Sequence, residues 1–206
     1  DTWAVDFLAD LGNQIKQRDF DGSTAVAPIR FSTSSGHGIG KSAMVAWLIL
    51  FVMSTRPHCK GTVTANTAQQ LRSKTWSELA KWYNLCITKH WFTLNAGSMG
   101  SLNIYAKCSP ERWRFDAQTC EERNSEAFAG QHAATSTSCY IFDEASAVPD
   151  KIFEVREGGL TDGEPMVFDF GNPTRNTGRF HDNMVGRYRD MYSRRFVDSR
   201  DVKITN

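Results

Sequence analysis

The sequence predicts an α/β fold: a mostly parallel central sheet flanked by helices, with a small antiparallel insertion. Three stretches carry that prediction. A β-prone run, Pro28 to Thr33, enters the glycine-rich turn Ser35-Gly36-His37-Gly38-Ile39-Gly40-Lys41-Ser42, which opens into the apolar run Ala43 to Met53. A second apolar run, Ser138 to Phe142, ends in the acids Asp143-Glu144. A third, Pro165 to Phe170, ends in Gly171-Asn172-Pro173-Thr174. Short apolar strands without polar alternation, spaced by helical segments, are buried on both faces, as in a parallel sheet.

The remaining elements follow in chain order. Trp3, Phe7, Leu8, Leu11 and Ile15 recur at helical spacing, so 2–18 reads as an amphipathic helix. A Gly/Ser/Asp connection from Asp19 to Ala27 leads to the first strand. Pro57 closes the loop helix, and Gly61 to Ala65 reads as a second strand. Asn66 or Thr67 then caps a helix through about Tyr83, with Leu71, Trp76, Leu79 and Trp82 as its apolar face. Between Trp91 and Phe115 short strands (92–94, 102–106, 113–115) alternate with Gly and Ser-Pro turns, which suits an antiparallel insertion or edge.

Composition narrows the class. A chain of 206 residues that is 40% hydrophobic can bury one sizeable core, so a single domain is expected. A net charge of +1 gives no global nucleic-acid signature. Charge is nevertheless uneven. Seven acids between Tyr140 and Glu164 suit a metal–nucleotide site, and six arginines between Arg175 and Arg195 suit a phosphate-contacting face. Five cysteines without a CxxC pair argue against a disulfide framework and a zinc site. No apolar run is long enough to span a bilayer and no signal-peptide pattern opens the chain, so a soluble, intracellular protein with no membrane partner is expected.

The motifs point to phosphate chemistry. Glycines 36, 38 and 40 let the backbone curl so that successive N–H groups face phosphate oxygens, and the following helix adds the positive end of its dipole. Lys41 would reach the β- and γ-phosphates, and Ser42 would offer its hydroxyl to Mg²⁺. The usual pattern begins with glycine; here that place is Ser35. Asp143 would hold Mg²⁺ and Glu144 would polarise the attacking water. Paired acids at a strand end also serve as helix caps, but about a hundred residues after a phosphate loop they indicate an ATP-hydrolysing P-loop NTPase. Asn172 and Thr174 could sense the γ-phosphate, although a plain Asn-Pro turn explains them equally well when taken alone.

Together the stretches SGHGIGKS, VTANTAQQLRSKTWSELAKW, SEAFAGQH, IFDEASAVPD and FGNPTRNTGRF resemble the ATPase region of the large terminase subunit of tailed bacteriophages, over about residues 28–200. The resemblance implies a P-loop domain of the additional-strand catalytic-glutamate type, with the catalytic-glutamate strand beside the phosphate-loop strand. It implies a motor that spends ATP to drive double-stranded DNA into a procapsid, working with Mg²⁺, the portal protein and the small terminase subunit. That motor would act as a homo-oligomeric ring on the portal, in the host cytoplasm. On this chain the family's phosphate-loop lysine falls on Lys41, its metal hydroxyl on Ser42, its metal Asp on Asp143, its catalytic Glu on Glu144 and its coupling motif on Gly171 to Thr174.

Departures from the family pattern sharpen the expectations. Relatives carry an arginine in the loop where this chain has His37, or one before a downstream glycine where it has Ala129 before Gly130. With neither arginine, the domain is expected to be a poor ATPase by itself. Arg72, Arg123 and Arg175 are the nearest substitutes by sequence for an arginine finger. Full-length relatives continue into a nuclease, so 1–206 is expected to be the motor domain alone, without DNA cleavage. A superfamily 2-like helicase shares the loop and the acid pair but needs a second lobe with paired arginines. A nucleotide-binding docking module would release no phosphate in steady state.

Overall fold

The structure is a computed structural model and describes residues 1–97, 102–121, 125, 126, 128, 129 and 131–203. Helix α1 (Thr2–Arg18) turns Phe7 and Leu11 inward. It stops where Asp19 takes a left-handed conformation (φ 45°) and returns its N–H to Ile15 O. Strand β1 (Ile29–Ser35) then runs to the loop, and α2 (Lys41–Thr55) leaves it. Helix α2 is apolar on nearly every side because it is covered on both faces, from Met44 and Val45 at its start to Val52 and Met53 at its end.

After β2 (Lys60–Ala65), the Thr67 side chain accepts the Gln70 N–H and starts α3 (Ala68–Gln70). The chain continues through a π-helical turn, Leu71–Trp76, into α4 (Ser77–Leu85). The long helix expected there exists, but with an extra residue wound into its first turns. Strands β3 (Phe92–Asn95), β4 (Asn103–Ala106) and β5 (Arg114–Thr119) follow, then β6 (Ser138–Asp143), α5 (Asp150–Gly158), β7 (Met166–Gly171), α6 (Arg179–Met184) and β8 (Ser193–Val197).

Among the described residues the strands form one sheet in the order β3-β4-β5-β2-β6-β7-β1-β8. From β5 to β8 every pairing is parallel. The β3–β4–β5 end is the antiparallel insertion, with β5 belonging to both parts. One expectation needs correction: the acidic strand β6 does not lie beside the phosphate-loop strand β1. Strand β7 is the inserted one, pairing with β6 on one side and β1 on the other. The Asn172 turn therefore emerges between the loop and the acids.

Period-two alternation sorts the strand residues between two cores. Cys139 and Ile141 of β6, with Met166, Phe168 and Phe170 of β7, face α1, α2 and α4. Tyr140, Phe142 and Val167 face α5 and α6. On the first side the Phe7 ring lies 4.6 Å from Phe31 and 5.8 Å from Phe170, seating α1 across the sheet. Each such buried ring contributes about 1.5–3 kcal/mol of transfer free energy. On the second side Arg156 is fully buried, its guanidinium 2.5 Å from Asp169 Oδ1 and 4.4 Å over the Phe142 ring.

Part of each charge cluster read from sequence is spent inside the fold. Arg179 is buried on Glu157, Asn183 and the face of Tyr188; Arg195 is tied to Asp10; Arg194 donates to Met184 O. Three of the six arginines in this stretch are thus internal ties, while Arg175, Arg187 and Arg189 stay exposed. Three of the seven acids before it have similar work: Glu164 pairs with Arg56, Glu157 with Arg30, and Asp150 accepts the Arg179 N–H. No helix among the described residues is long and apolar enough to cross a membrane.

Candidate active site

The carboxyl ends of parallel strands leave a crevice where ligands bind. In this sheet the ends of β1, β6 and β7 open into a cleft of about 330 Å³, lined by 37–42, Lys74, Asp143, Glu144 and Asn172. The loop is shaped by its glycines: Gly38 and Gly40 have φ of 80° and 90°, in the left-handed region that side chains disfavour. Helix α2 starts at Lys41 with no side-chain cap, which leaves its first N–H groups facing the cleft.

Lys41 Nζ is held by three acceptors: Gly36 O and Asn172 Oδ1 at 2.7 Å, and Ser35 Oγ at 2.9 Å. Burial lowers its proton affinity, opposed by the nearby Asp143 and Glu144 carboxylates and assisted by the like charge of Lys74. Asn172 also presents Nδ2 to His37 Nε2 at 2.9 Å. The amide after β7 thereby bridges the two side chains that flank the loop.

At the end of β6, burial raises the pKa of Asp143, and the neighbouring Glu144 charge adds to that; a hydrogen bond from Thr75 and the charge of Lys41 oppose it. Thr75 Oγ1 donates to Asp143 Oδ2 at 2.8 Å, and the Glu144 backbone N–H also supports the carboxylate. Glu144 is one of the few non-glycine residues at positive φ (59°), a conformation that costs energy and ends the strand abruptly. Gln70 Nε2 donates to Glu144 Oε2 at 2.6 Å, and Lys74 Nζ lies 3.4 Å from Oε1.

These three supports were not found by sequence reasoning. Gln70, Lys74 and Thr75 fall at the start of a helix whose apolar face was the visible feature. The π turn's i→i+5 bonding brings residues five apart onto one side, so Gln70 and Thr75 both reach the acids. No linear signal marks them: only because β2 neighbours β6 does the helix after β2 start beside the carboxyl end of β6.

The predicted site residues divide. Lys41, Ser42, Asp143, Glu144 and Asn172 line one cleft with 37–40, while Ser35 and Gly36 contact it through Lys41. Thr174 does not line the cleft; its hydroxyl donates to Ser146 Oγ because the chain turns away after Asn172. Arg72 is exposed on the outer side of the π turn, away from the lining. Arg175 borders a separate small hollow with Arg179 and His181. Arg123 and Gly130 lie outside the described residues.

Residues and topology together define a P-loop NTPase fold of the additional-strand type, with β7 as the added strand. The chain is, more particularly, similar to phage large terminases. It is 28% identical over 182 residues to the probable terminase large subunit of Enterobacteria phage P7, covering 88% of this chain and 34% of that protein. The chain therefore spans about a third of the relative's length. Its fold matches the large terminase of the thermophilic bacteriophage D6E with a TM-score of 0.62 at 13% identity, over 82% of this chain and 40% of that one. The D6E terminase in complex with ADP matches equally, with a TM-score of 0.62 over 87% of this chain and 40% of that one. No protein-family model matches the chain.

Proposed function

We propose that this domain is the ATP-hydrolysing motor of a phage large terminase, powering movement of double-stranded DNA into a procapsid. The observation that carries the reading is the meeting of Lys41, at the start of α2, and Glu144, just after β6, across one cleft. The D6E relative's ADP complex supports nucleotide as the ligand. The Lys41 ammonium, resting on three neutral acceptors, is available to the β- and γ-phosphates. Glu144, its carboxylate steadied by Gln70, takes the proton of the attacking water.

Mg²⁺ suits the donors present. The cleft holds a hydroxyl, Ser42, and a buried carboxylate, Asp143. Mg²⁺ is ordinarily bound by one or two protein oxygens together with phosphate and water, so a richer ligand cluster is not required. Bound there, it would neutralise charge developing on the phosphoryl group. DNA, the portal protein, the small subunit and a ring of copies are the partners this reading implies. DNA contact made to the phosphate backbone would weaken steeply with salt.

The test is phosphate release with Mg²⁺ and DNA. Glu144→Gln keeps ATP bound and slows hydrolysis by about 10²–10⁴-fold, the worth of a positioned base. Equal rates for wild type and variant would refute the assignment.

A further inference from the structure

Hydrolysis breaks the bond from the γ-phosphorus to the β–γ bridging oxygen as water oxygen bonds to that phosphorus. The water proton goes to Glu144, and ADP and inorganic phosphate leave. Charge on the transferring group is then spread over its three equatorial oxygens, so a second cation beside the phosphate-loop lysine accelerates the step. None of the arginines singled out in the sequence and described here lines the cleft.

We propose that Lys74 supplies this charge in cis, contacting the γ-phosphoryl group from the π turn of its own chain. The inference rests on the hydrolysis reading above. Among the described residues, Lys74 and Lys41 are the only lysine or arginine side chains in the cleft lining. Lys74 stands on the Glu144 side, 3.4 Å from Oε1. It is close enough to Lys41 for its charge to be felt there.

Its present tether is loose. The Lys74 side chain is 59% exposed and that of Glu144 34%. Such a partly exposed pair is held only weakly, so an entering phosphate with more charge displaces it. Gln70 keeps its bond to Oε2 when Lys74 leaves Oε1, so the base stays placed while the cation moves to the phosphate. Lys74 forms no covalent bond in the step. Lys74 lies in the cleft lining and Arg72, on the same turn, does not.

The test compares Lys74→Ala and Lys74→Arg with wild type. Steady-state hydrolysis is measured with Mg²⁺ and DNA, alongside binding of ADP with beryllium fluoride and with aluminium fluoride. Lys74→Ala lowers kcat by about 10²–10³-fold, the scale of a lost transition-state donor, with KM little changed. It loses the extra affinity for ADP with aluminium fluoride but keeps wild-type affinity for ADP with beryllium fluoride. Lys74→Arg restores most of both. Wild-type kcat in Lys74→Ala, or undiminished affinity for the aluminium fluoride complex, overturns the proposal. Mixing Lys74→Ala with Lys41→Ala restores no turnover, since both residues serve the same cleft; complementation would overturn the assignment in cis. Failure of wild type itself to bind ATP would instead overturn the hydrolysis reading, and this inference with it.

Discussion

Asn172 Oδ1 accepts a hydrogen bond from Lys41 Nζ at 2.7 Å, so the phosphate-loop lysine and the turn after β7 are latched together. The latch orients the amide: with Oδ1 on the ammonium, Nδ2 must face His37, which it does at 2.9 Å. A phosphate entering the cleft competes for the same ammonium. On the proposed reading, occupancy of the loop is thereby passed to β7, which lies between the two strands that carry the chemistry.

Replacing Asn172 tests that latch. Asn172→Asp keeps the shape but puts a carboxylate where the γ-phosphate must approach, and strengthens its competitor for Lys41. ATP affinity should fall by about 10–100-fold in calorimetric titration, in keeping with the strength of charge-assisted bonds. Asn172→Ala removes the competitor and should bind within about threefold of wild type. An Asp variant that binds as wild type does would show that Asn172 does not face the phosphate.

Lys41 carries a different expectation. Lys41→Ala removes the loop's fixed charge, which Asp143 and Glu144 also feel, so nucleotide affinity should drop by about 100-fold or more. The fold should survive, because the ammonium's present bonds are to polar groups at the cleft and not within either core. Circular dichroism and titration with a fluorescent ATP analogue measure the two halves separately.

The buried Arg156–Asp169 pair sets a stability prediction. Asp169→Ala strands a desolvated guanidinium between Phe142 and Phe153, at a cost of about 3–5 kcal/mol. At roughly 2–4 °C per kcal/mol for a domain of this size, the melting temperature should fall by about 10 °C. The double variant Arg156→Met with Asp169→Leu should regain most of that loss in urea denaturation. A double variant no better than Asp169→Ala would mean that the hydrogen bonds to Tyr192 and Asn183, not the paired charges, hold this corner.

Asp10 gives a pH signature. Burial works to raise its pKa, but hydrogen bonds from Ser193 and Arg195 outweigh it, and the value falls below the ordinary 3.8. The unfolded chain therefore takes up the proton first as pH falls. The stabilisation is present above about pH 3.8 and is lost as pH drops through the lowered folded-state value. Asp10→Asn should melt a few degrees below wild type at pH 7, by loosening α1 from β8. The difference should close in strong acid, as followed by thermal melts across the pH range. A gap that persists there would assign the effect to packing.

Much of the local structure was legible in the residues. Phe7 and Leu11 at helical spacing gave α1 its bounds and its buried face. The glycines before Lys41 marked where β1 ends and α2 begins, because only glycine enters the left-handed region cheaply. The apolar run before Asp143 announced a strand buried on both sides, and it is buried at every position. Less legible was the fate of charge. Arg179 and Arg195 look like surface cations in a linear reading, yet their partners, Glu157 and Asp10, lie on other elements.

The elements, the glycine-rich turn before Lys41 and the two acids that end β6 are legible from residues alone, since turn chemistry, burial pattern and helix starts are written in neighbouring positions. Tertiary structure alone decided that β7 lies between β1 and β6, which puts Asn172 onto Lys41. It also decided that Gln70, Lys74 and Thr75 close around Glu144 and Asp143. Those contacts join residues about 70 or more positions apart. They depend on strand order and on one π turn, which are set by packing across the whole sheet and leave no periodic trace along the chain.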